Sequence, residues 1–472
     1  MPSDTSTTKT TPRSPIVTVL GHVDHGKTTL LDAIRQSNVA SREAGGITQS
    51  IGASTVTTKE GKTITFLDTP GHALFSKMRS RGAKAADIAV LVVASDDGVK
   101  PQTKEAIKYI KEENIPFIVA FTKIDMPASL VERAIADMTA ESVLLDGQGG
   151  DTPYVKVSGK TGEGVPDLLE MITLISEMND ISYDADSEIE GFVIETATNK
   201  RGPVATIVLK NGTLSVGDEV YSGDLKGKVK GLFDQYGESL KGIIAGEAAQ
   251  VLGFSDLPPV GSLITDNQAN AHSHAQKVKP SETLEIDDTM IPVVIKSSNA
   301  GSLEAILAHV SEDLAIVSAS VGEVSESDVF VAKSTAANIY VFESSVPARV
   351  KKLARTEGVK IETFDVVYKL FERFDELVDA NTEEVLGAAQ ILSEFPFNKQ
   401  RVAGSKVVSG KISKSDQLVL MRNQEEIGRT GIKSMKKEKK DVESVASGEE
   451  FGLIMSHYLD FKPGDMIVSV RR

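Results

Sequence analysis

Short apolar runs recur along the first 180 residues, at Ile16–Leu20, Thr63–Leu67, Ile88–Ala94, Phe117–Phe121 and Tyr154–Val157. Between them the apolar residues fall at helical spacing. The runs read as strands, and their alternation with helices predicts a doubly wound α/β sheet. Past Asp180 the texture changes. Short alternating runs (Gly191-Phe192-Val193-Ile194-Glu195, Ala205-Thr206-Ile207-Val208-Leu209), punctuated by Asn211-Gly212 and Gly217-Asp218, predict a small β-barrel. A polar, helix-poor linker follows at about 266–288. Pro292–Ile295 then reads as a strand, and Gly301-Ser302 opens a helix with Leu303, Ile306, Leu307 and Val310 on one face. Val367, Leu370, Phe371, Phe374 and Val378 stand at helical spacing and predict a helix that bridges two domains.

The last segment echoes the barrel. Asn211-Gly212-Thr213-Leu214 with Asp218 is matched by Ser409-Gly410-Lys411-Ile412 with Asp416, and Gly246-Glu247 by Gly448-Glu449. The repeat predicts one module used twice. The expected organisation is a disordered Thr/Ser/Pro-rich tail at 1–14, an α/β domain at 15–182, a barrel at 187–268, an αβα domain at 286–364, a linking helix at 365–385 and a second barrel at 387–472.

Composition narrows the class. A chain of 472 residues is too long for one core, and 40% hydrophobic with 25% charged residues is ordinary for a soluble globular protein. No stretch approaches the ~20 apolar residues of a membrane span. Met1-Pro2-Ser3-Asp4-Thr5 lacks the apolar core of a secretory signal, so the expected location is the cytoplasm, without membrane contact. The absence of cysteine excludes disulfides, cysteine-based zinc sites and a thiol nucleophile. A net charge of −15 argues against nucleic acid, but residues 387–472 carry 15 Lys and Arg against 11 Asp and Glu, a net +4 that leaves −19 on the rest. The densest basic run, Lys433–Lys440, reads either as a solvated loop or as a polyanion contact. With no Trp and 5% aromatics there is no base-stacking platform.

Candidate chemistry begins where the first strand ends. Gly21-His22-Val23-Asp24-His25-Gly26-Lys27-Thr28 fits G-x-x-x-x-G-K-[ST] between a strand and a helix that opens with Thr29. In such a loop, backbone N–H groups and the helix N-terminus meet the β-phosphate, the lysine reaches the β/γ oxygens, and the Thr28 hydroxyl takes a Mg²⁺ position.

Four further segments follow in the order a GTP site needs. In Asp68-Thr69-Pro70-Gly71-His72, Asp68 can hold Mg²⁺ through water and the Gly71 N–H can meet the γ-phosphate. In Thr122-Lys123-Ile124-Asp125, Asp125 can accept from guanine N1–H and N2–H₂, which adenine cannot offer. Ser158-Gly159-Lys160 can meet guanine O6 through a backbone N–H. Gly45-Gly46-Ile47-Thr48 is a glycine-hinged stretch whose Thr48 hydroxyl completes the Mg²⁺ shell only with γ-phosphate present, the chemistry of an order–disorder switch. Each match is weak alone, and the ordered set is specific. His72 is the candidate catalytic residue, as a positioner of the attacking water; the alternative is a packed side chain. No intrinsic arginine finger is evident, which predicts slow turnover alone and a partner that triggers hydrolysis.

His22-Val23-Asp24-His25 and Asp68–His72 resemble the translational GTPases generally. Glu43-Ala44-Gly45-Gly46-Ile47-Thr48-Gln49-Ser50-Ile51-Gly52-Ala53 resembles, more narrowly, the switch segment of bacterial-type translation initiation factor 2. The likeness runs from Arg13 onward and includes Arg201–Thr206 and Gly301–Ala305; the family's long variable amino-terminal region has no counterpart here. It implies a multidomain α/β plus β chain with a P-loop GTPase domain, acting with Mg²⁺ and GTP or GDP. It further implies a monomer that works with other initiation factors, delivers formylmethionyl initiator tRNA to the small ribosomal subunit and joins the large subunit, which triggers hydrolysis. Another tRNA-delivering GTPase and a ribosome-associated scaffold with vestigial hydrolysis are the alternatives. Matching the family's tRNA-binding barrel to this chain puts contacts at Ser434–Lys440, with Lys436 and Lys437, and at Glu450, Phe451 and Gly452; for Phe451 the alternative is a place in the barrel core. The chain departs from the family pattern at Thr122, where many members have Asn, at Phe451, where bacterial members usually have Cys, and at Lys437-Glu438, where a basic residue precedes an aromatic.

Overall fold

The computed structural model describes residues 10–35, 48–49, 51–126, 130–273, 290–381, 384–397, 400–423, 425–438 and 440–471. Backbone contacts divide the chain into two units, Met1–Phe371 and Glu372–Arg472.

The first unit opens with a six-stranded sheet in the order Gly52–Thr57, Thr63–Asp68, Ile16–Gly21, Ile88–Ala94, Phe117–Thr122, Tyr154–Lys156. Every neighbouring pair is parallel except the first, an antiparallel edge. Ile16–Gly21 and Ile88–Ala94 are buried along their whole length. Alternate side chains therefore feed two cores, Val17, Val19, Val90 and Val92 on one face and Leu20, Leu91 and Val93 on the other. This is the expected doubly wound sheet, and all its strands but the edge one end toward one side, where ligands bind such folds.

The tail expected to be disordered over 1–14 is ordered where it is described. Thr11–Pro12 pairs antiparallel with Ser182–Tyr183, and the Arg13 guanidinium grips Asp87 at 2.6 and 2.8 Å. A two-residue pairing and one ion pair leave no trace in composition. Residues 1–9 lie outside the described residues.

The barrel strands run Glu219–Ser222, Leu225–Phe233, Ala248–Phe254, Gly202–Asn211, Glu190–Asn199, Leu263–Ile264. Reciprocal backbone bonds between Tyr221 and Thr265, 2.7 and 3.1 Å, close the circuit around Val193, Ile207, Leu232 and Val251. The segment expected to be a helix-poor linker carries the helix Gln268–Ser273; its remainder lies outside the described residues. A parallel four-stranded sheet follows, in the order Leu314–Val321, Ile291–Ser297, Asn338–Phe342, Ile361–Phe364, with the helices Ala300–Leu307, Glu326–Ser334 and Ala348–Glu357. Asn299 caps the first of these helices by accepting from the Ser302 N–H at 2.8 Å. Several bonds tie the unit together, among them three to or from a backbone group. The Thr65 hydroxyl donates to Gly246 O (2.6 Å), the Gly301 N–H donates to buried Glu195 (3.0 Å), and the Ser302 hydroxyl donates to Gln49 O (3.2 Å).

The helix expected at 365–385 is Val367–Asn381 and contains the division between the two units. In the second unit the first strand begins at Glu384 rather than 387. The sheet runs Glu384–Phe397, Met466–Arg471, Gln417–Arg422, Glu425–Lys437, Glu450–Met455, Gln400–Ser413 and back to Glu384–Phe397, a closed barrel.

The repeat between the barrels extends to single hydrogen bonds. The Gly246 N–H donates to Leu209 O at 2.7 Å, and the Gly448 N–H to Val407 O at 2.8 Å. Asp218 accepts from Ser215 N as Asp416 does from Ser413 N, both at 2.7 Å. Glu247 accepts from Ile244 N as Glu449 does from Ala446 N, both at 3.0 Å. Gly246 and Gly448 sit at φ 91° and 86°, which side chains avoid, so both turns require glycine.

Candidate nucleotide-binding site

Five segments scattered over 140 residues converge on one cleft of about 430 Å³ at the carboxyl ends of the sheet strands. Its walls include Val23, Asp24, Gly26, Lys27, Thr28 and Thr29 from the phosphate loop, Thr48, then Gly71 and His72. Thr122, Lys123, Asp125, Gly159 and Lys160 complete the set, and Met126 adds an apolar wall that the sequence did not single out. Gly45, Gly46 and Ile47 lie outside the described residues.

The loop's shape is set by its backbone. Asp24 and Gly26 take positive φ, 62° and 84°, the alternation that turns successive N–H groups into a concave nest for an anion. The Lys27 amino group donates to Gly21 O (3.0 Å) and His22 O (2.6 Å), and burial pulls its pKa down to about 8. A Cβ on Gly71 would come 2.4 Å from that amino group and 3.1 Å from Val23 N, so a side chain there would displace the lysine and press on the phosphate loop.

Five sequence-assigned residues stand behind the wall rather than in it. Gly21 meets the Val92 carbonyl, where a Cβ would lie 2.4 Å from the oxygen. The His22 carbonyl is an acceptor for Lys27. His25 is buried, its Nδ1 accepts from Ala94 N at 3.2 Å, and burial pulls its pKa to about 4, so it is a neutral buttress. Ser158 donates to Asp125 Oδ1 at 2.7 Å and accepts from Thr161 N at 3.1 Å; its bond holds Asp125 below the usual carboxylate range. Asp68 is buried with no hydrogen-bond partner for Oδ1 among the described residues, and burial pushes its pKa to about 6. Thr122, the departure from the common Asn, donates its hydroxyl to His25 O at 2.6 Å and so ties the base-side strand to the phosphate loop.

Thr28 Oγ1 and Thr48 Oγ1 stand 2.9 Å apart. Two hydroxyls and a buried carboxylate with an unpartnered oxygen are hard oxygen donors, a set that fits magnesium and suits no softer metal.

His72 is half-buried, and its pKa is lowered by burial first and by the nearby Lys27 charge second. It is therefore neutral at pH 7. Its Nδ1 is hydrogen-bonded to the Tyr368 hydroxyl, and its Nε2 has no partner among the described residues.

Sequence reasoning missed four residues here. Gln102 accepts from Val23 N at 3.0 Å. Gln49 spans to the start of the linking helix, donating to Glu343 (2.8 Å) and Asp365 O (2.9 Å) and accepting from Val367 N (3.1 Å). Tyr368 meets His72. Arg79, fully buried, had one legible signal: a charge on a helix face otherwise made of Met78, Gly82 and Ala83.

Of the residues assigned to tRNA, the second unit brings Lys436 opposite Gly452 across paired strands. Lys436 and Glu450 are exposed, and Lys437 is ion-paired with Glu449 at 2.5 Å. For Phe451 the structure takes the core alternative: its side chain is buried with Met435 and Leu453, because strand alternation turns 451 and 453 inward.

Family comparisons agree with this geometry. Residues 12–177 match the elongation factor Tu GTP binding domain, 188–267 match elongation factor G domain 2, and 265–375 match translation-initiation factor 2. Translation initiation factor IF-2 of Petrotoga mobilis is 37% identical over 97% of this chain and 70% of its own length. The chain belongs to the IF-2 family. The IF-2 of a Thermotoga species is 38% identical over 97% of the chain and 71% of its own length, and that of Aquifex aeolicus 38% identical over 97%. The chain spans 61% of the Aquifex IF-2. Among the described residues no helix is long and apolar enough to cross a membrane.

Proposed function

We propose that this IF-2 family chain is a ribosome-stimulated GTPase of translation initiation. In this reading it promotes binding of formylmethionyl initiator tRNA to the small ribosomal subunit, then subunit joining, with the large subunit as trigger. It acts in the cytoplasm as a monomer beside other initiation factors. The observation that carries the reading is the single cleft lined by five sequence-separate loops in a chain of this family. Asp125, oriented by Ser158, selects guanine; Lys27 and the Asp24–Gly26 nest hold the phosphates; His72 orients water toward the γ-phosphorus. Thr28 and Thr48, with Asp68 through water, would hold Mg²⁺, which neutralises charge on the phosphate oxygens. Lys436, Lys437, Glu450 and the Gly452 backbone face the aminoacylated tRNA end, while Phe451 supports them from the core.

The test is multiple-turnover GTP hydrolysis with and without ribosomes, comparing the wild type with His72→Ala. Slow basal turnover, strong stimulation, and loss of stimulation in the variant with GTP binding retained are expected. Tight GTP binding without stimulation would instead identify a GTP-binding scaffold.

A further inference from the structure

Arg79 lies on the helix Ser76–Ala85 with no exposed surface. Burying a guanidinium costs several kcal/mol unless its donors are met, and a Met or Leu would fill this core position without that cost. Its two terminal nitrogens are met in two places, while Nε has no partner among the described residues. Nη1 bonds the carbonyls of Pro70 (3.2 Å), Gly71 (3.2 Å) and His72, three consecutive peptides of the loop that carries the candidate catalytic histidine. Nη2 bonds Glu105 at 2.6 Å, and Glu105 in turn accepts from the Tyr109 hydroxyl at 2.7 Å. Gly82 brings the helix close enough for this, since a Cβ there would lie 2.7 Å from Thr69 Cγ2 and 3.0 Å from Thr18 Oγ1.

A trans peptide points the carbonyl of one residue and the N–H of the next in opposite directions. Drawing the Pro70 carbonyl toward Arg79 therefore turns the Gly71 N–H away from it. Gly71 lines the cleft on the side of Lys27. Drawing the Gly71 carbonyl the same way aims the His72 N–H outward as well. We propose that Arg79 is a positioning residue that reads the γ-phosphate through the loop: by gathering three carbonyls behind the loop it presents the Gly71 N–H and the His72 backbone to GTP, and contributes nothing toward GDP. Glu105 holds the guanidinium at the right depth. The proposal rests on the GTPase reading above.

The experiment compares full-length wild type, Arg79→Met and Arg79→Lys for affinity toward GDP and a non-hydrolysable GTP analogue, and for ribosome-stimulated turnover. Arg79→Met is expected to keep GDP affinity within about twofold and to lose about tenfold in the GTP-analogue to GDP affinity ratio, the worth of one charge-assisted hydrogen bond. Turnover should fall at least as far, and Arg79→Lys, which keeps the charge with fewer donors, should recover part of both. Glu105→Gln, at a partly exposed position, should shift the ratio in the same direction by less and tests the idea if Arg79→Met fails to fold. An unchanged ratio, or equal loss toward both nucleotides, overturns the proposal and leaves Arg79 a packing residue. A wild type that binds neither nucleotide overturns the GTPase reading itself.

Discussion

The Tyr368 hydroxyl and His72 Nδ1 are hydrogen-bonded across 296 residues of chain, so the linking helix holds the ring of the candidate catalytic residue. That bond occupies one nitrogen of a neutral imidazole, and the two rings pack edge to face with centroids 4.9 Å apart. A bond of this type is worth about 1 kcal/mol. Tyr368→Phe keeps the ring packing and removes the bond, so basal GTP turnover should rise by roughly fivefold with GTP affinity unchanged. Turnover at or below the wild-type value in a ribosome-free phosphate-release assay would show that the bond orients His72 productively instead.

Thr122 makes a second separable prediction. Its hydroxyl satisfies the buried His25 carbonyl, and Thr122→Val would leave that acceptor unpaired at a cost of about 1–3 kcal/mol. Fluorescent GDP titration should show affinity falling roughly tenfold or more, whereas Thr122→Ser should stay near the wild type. Equal losses in both variants would trace the effect to packing.

Asp125 tests the base. Asn in its place offers an amide where guanine presents its own donors, so GTP affinity should fall by roughly a hundredfold or more while xanthosine triphosphate, with a carbonyl at that edge, gains. Competition binding with the two nucleotides measures this. Parallel loss toward both would mean that the guanine does not sit against Asp125.

Glu195 predicts a pH dependence. Burial raises its pKa from 4.5 to about 7, while Thr196 N and Gly301 N both donate to Oε1. A carboxyl whose folded pKa is raised lends its full stability below the unfolded value and loses it as pH climbs through the folded one. The first unit should therefore lose up to about 3 kcal/mol between pH 4.5 and 7 from this group. Gln keeps the accepting oxygen, so the thermal midpoints of Glu195→Gln and wild type should coincide near pH 4.5, with the variant higher at pH 8. A constant offset across the range would assign the difference to packing.

What was legible in the chain follows from how tightly chemistry constrains residue type at a fixed spacing. A phosphate nest requires glycine and lysine at set positions, so Gly26, Lys27 and Thr28 announced themselves, and Gly246 and Gly448 did so because a turn at positive φ admits little else. Gln102 and Tyr368 belong to contacts made by distant packing, which no local spacing encodes, whereas Arg79 left only a charge on an otherwise apolar helix face, a sign of burial but not of its partners. For Phe451 the family match and the strand's period of two pointed to different places, a tRNA contact and the barrel core; with Glu450 exposed, Phe451 buried and Leu453 buried, the period of two holds.

The matched turn bonds of the two barrels run between backbone groups and a few inward-serving Asp and Glu side chains. They ask nothing of the outward-facing positions. Two barrels that share this frame can therefore differ in their exteriors without disturbing those turns. The exteriors do differ in charge: residues 187–268 carry 7 Lys and Arg against 11 Asp and Glu, a net −4, where 387–472 carry +4.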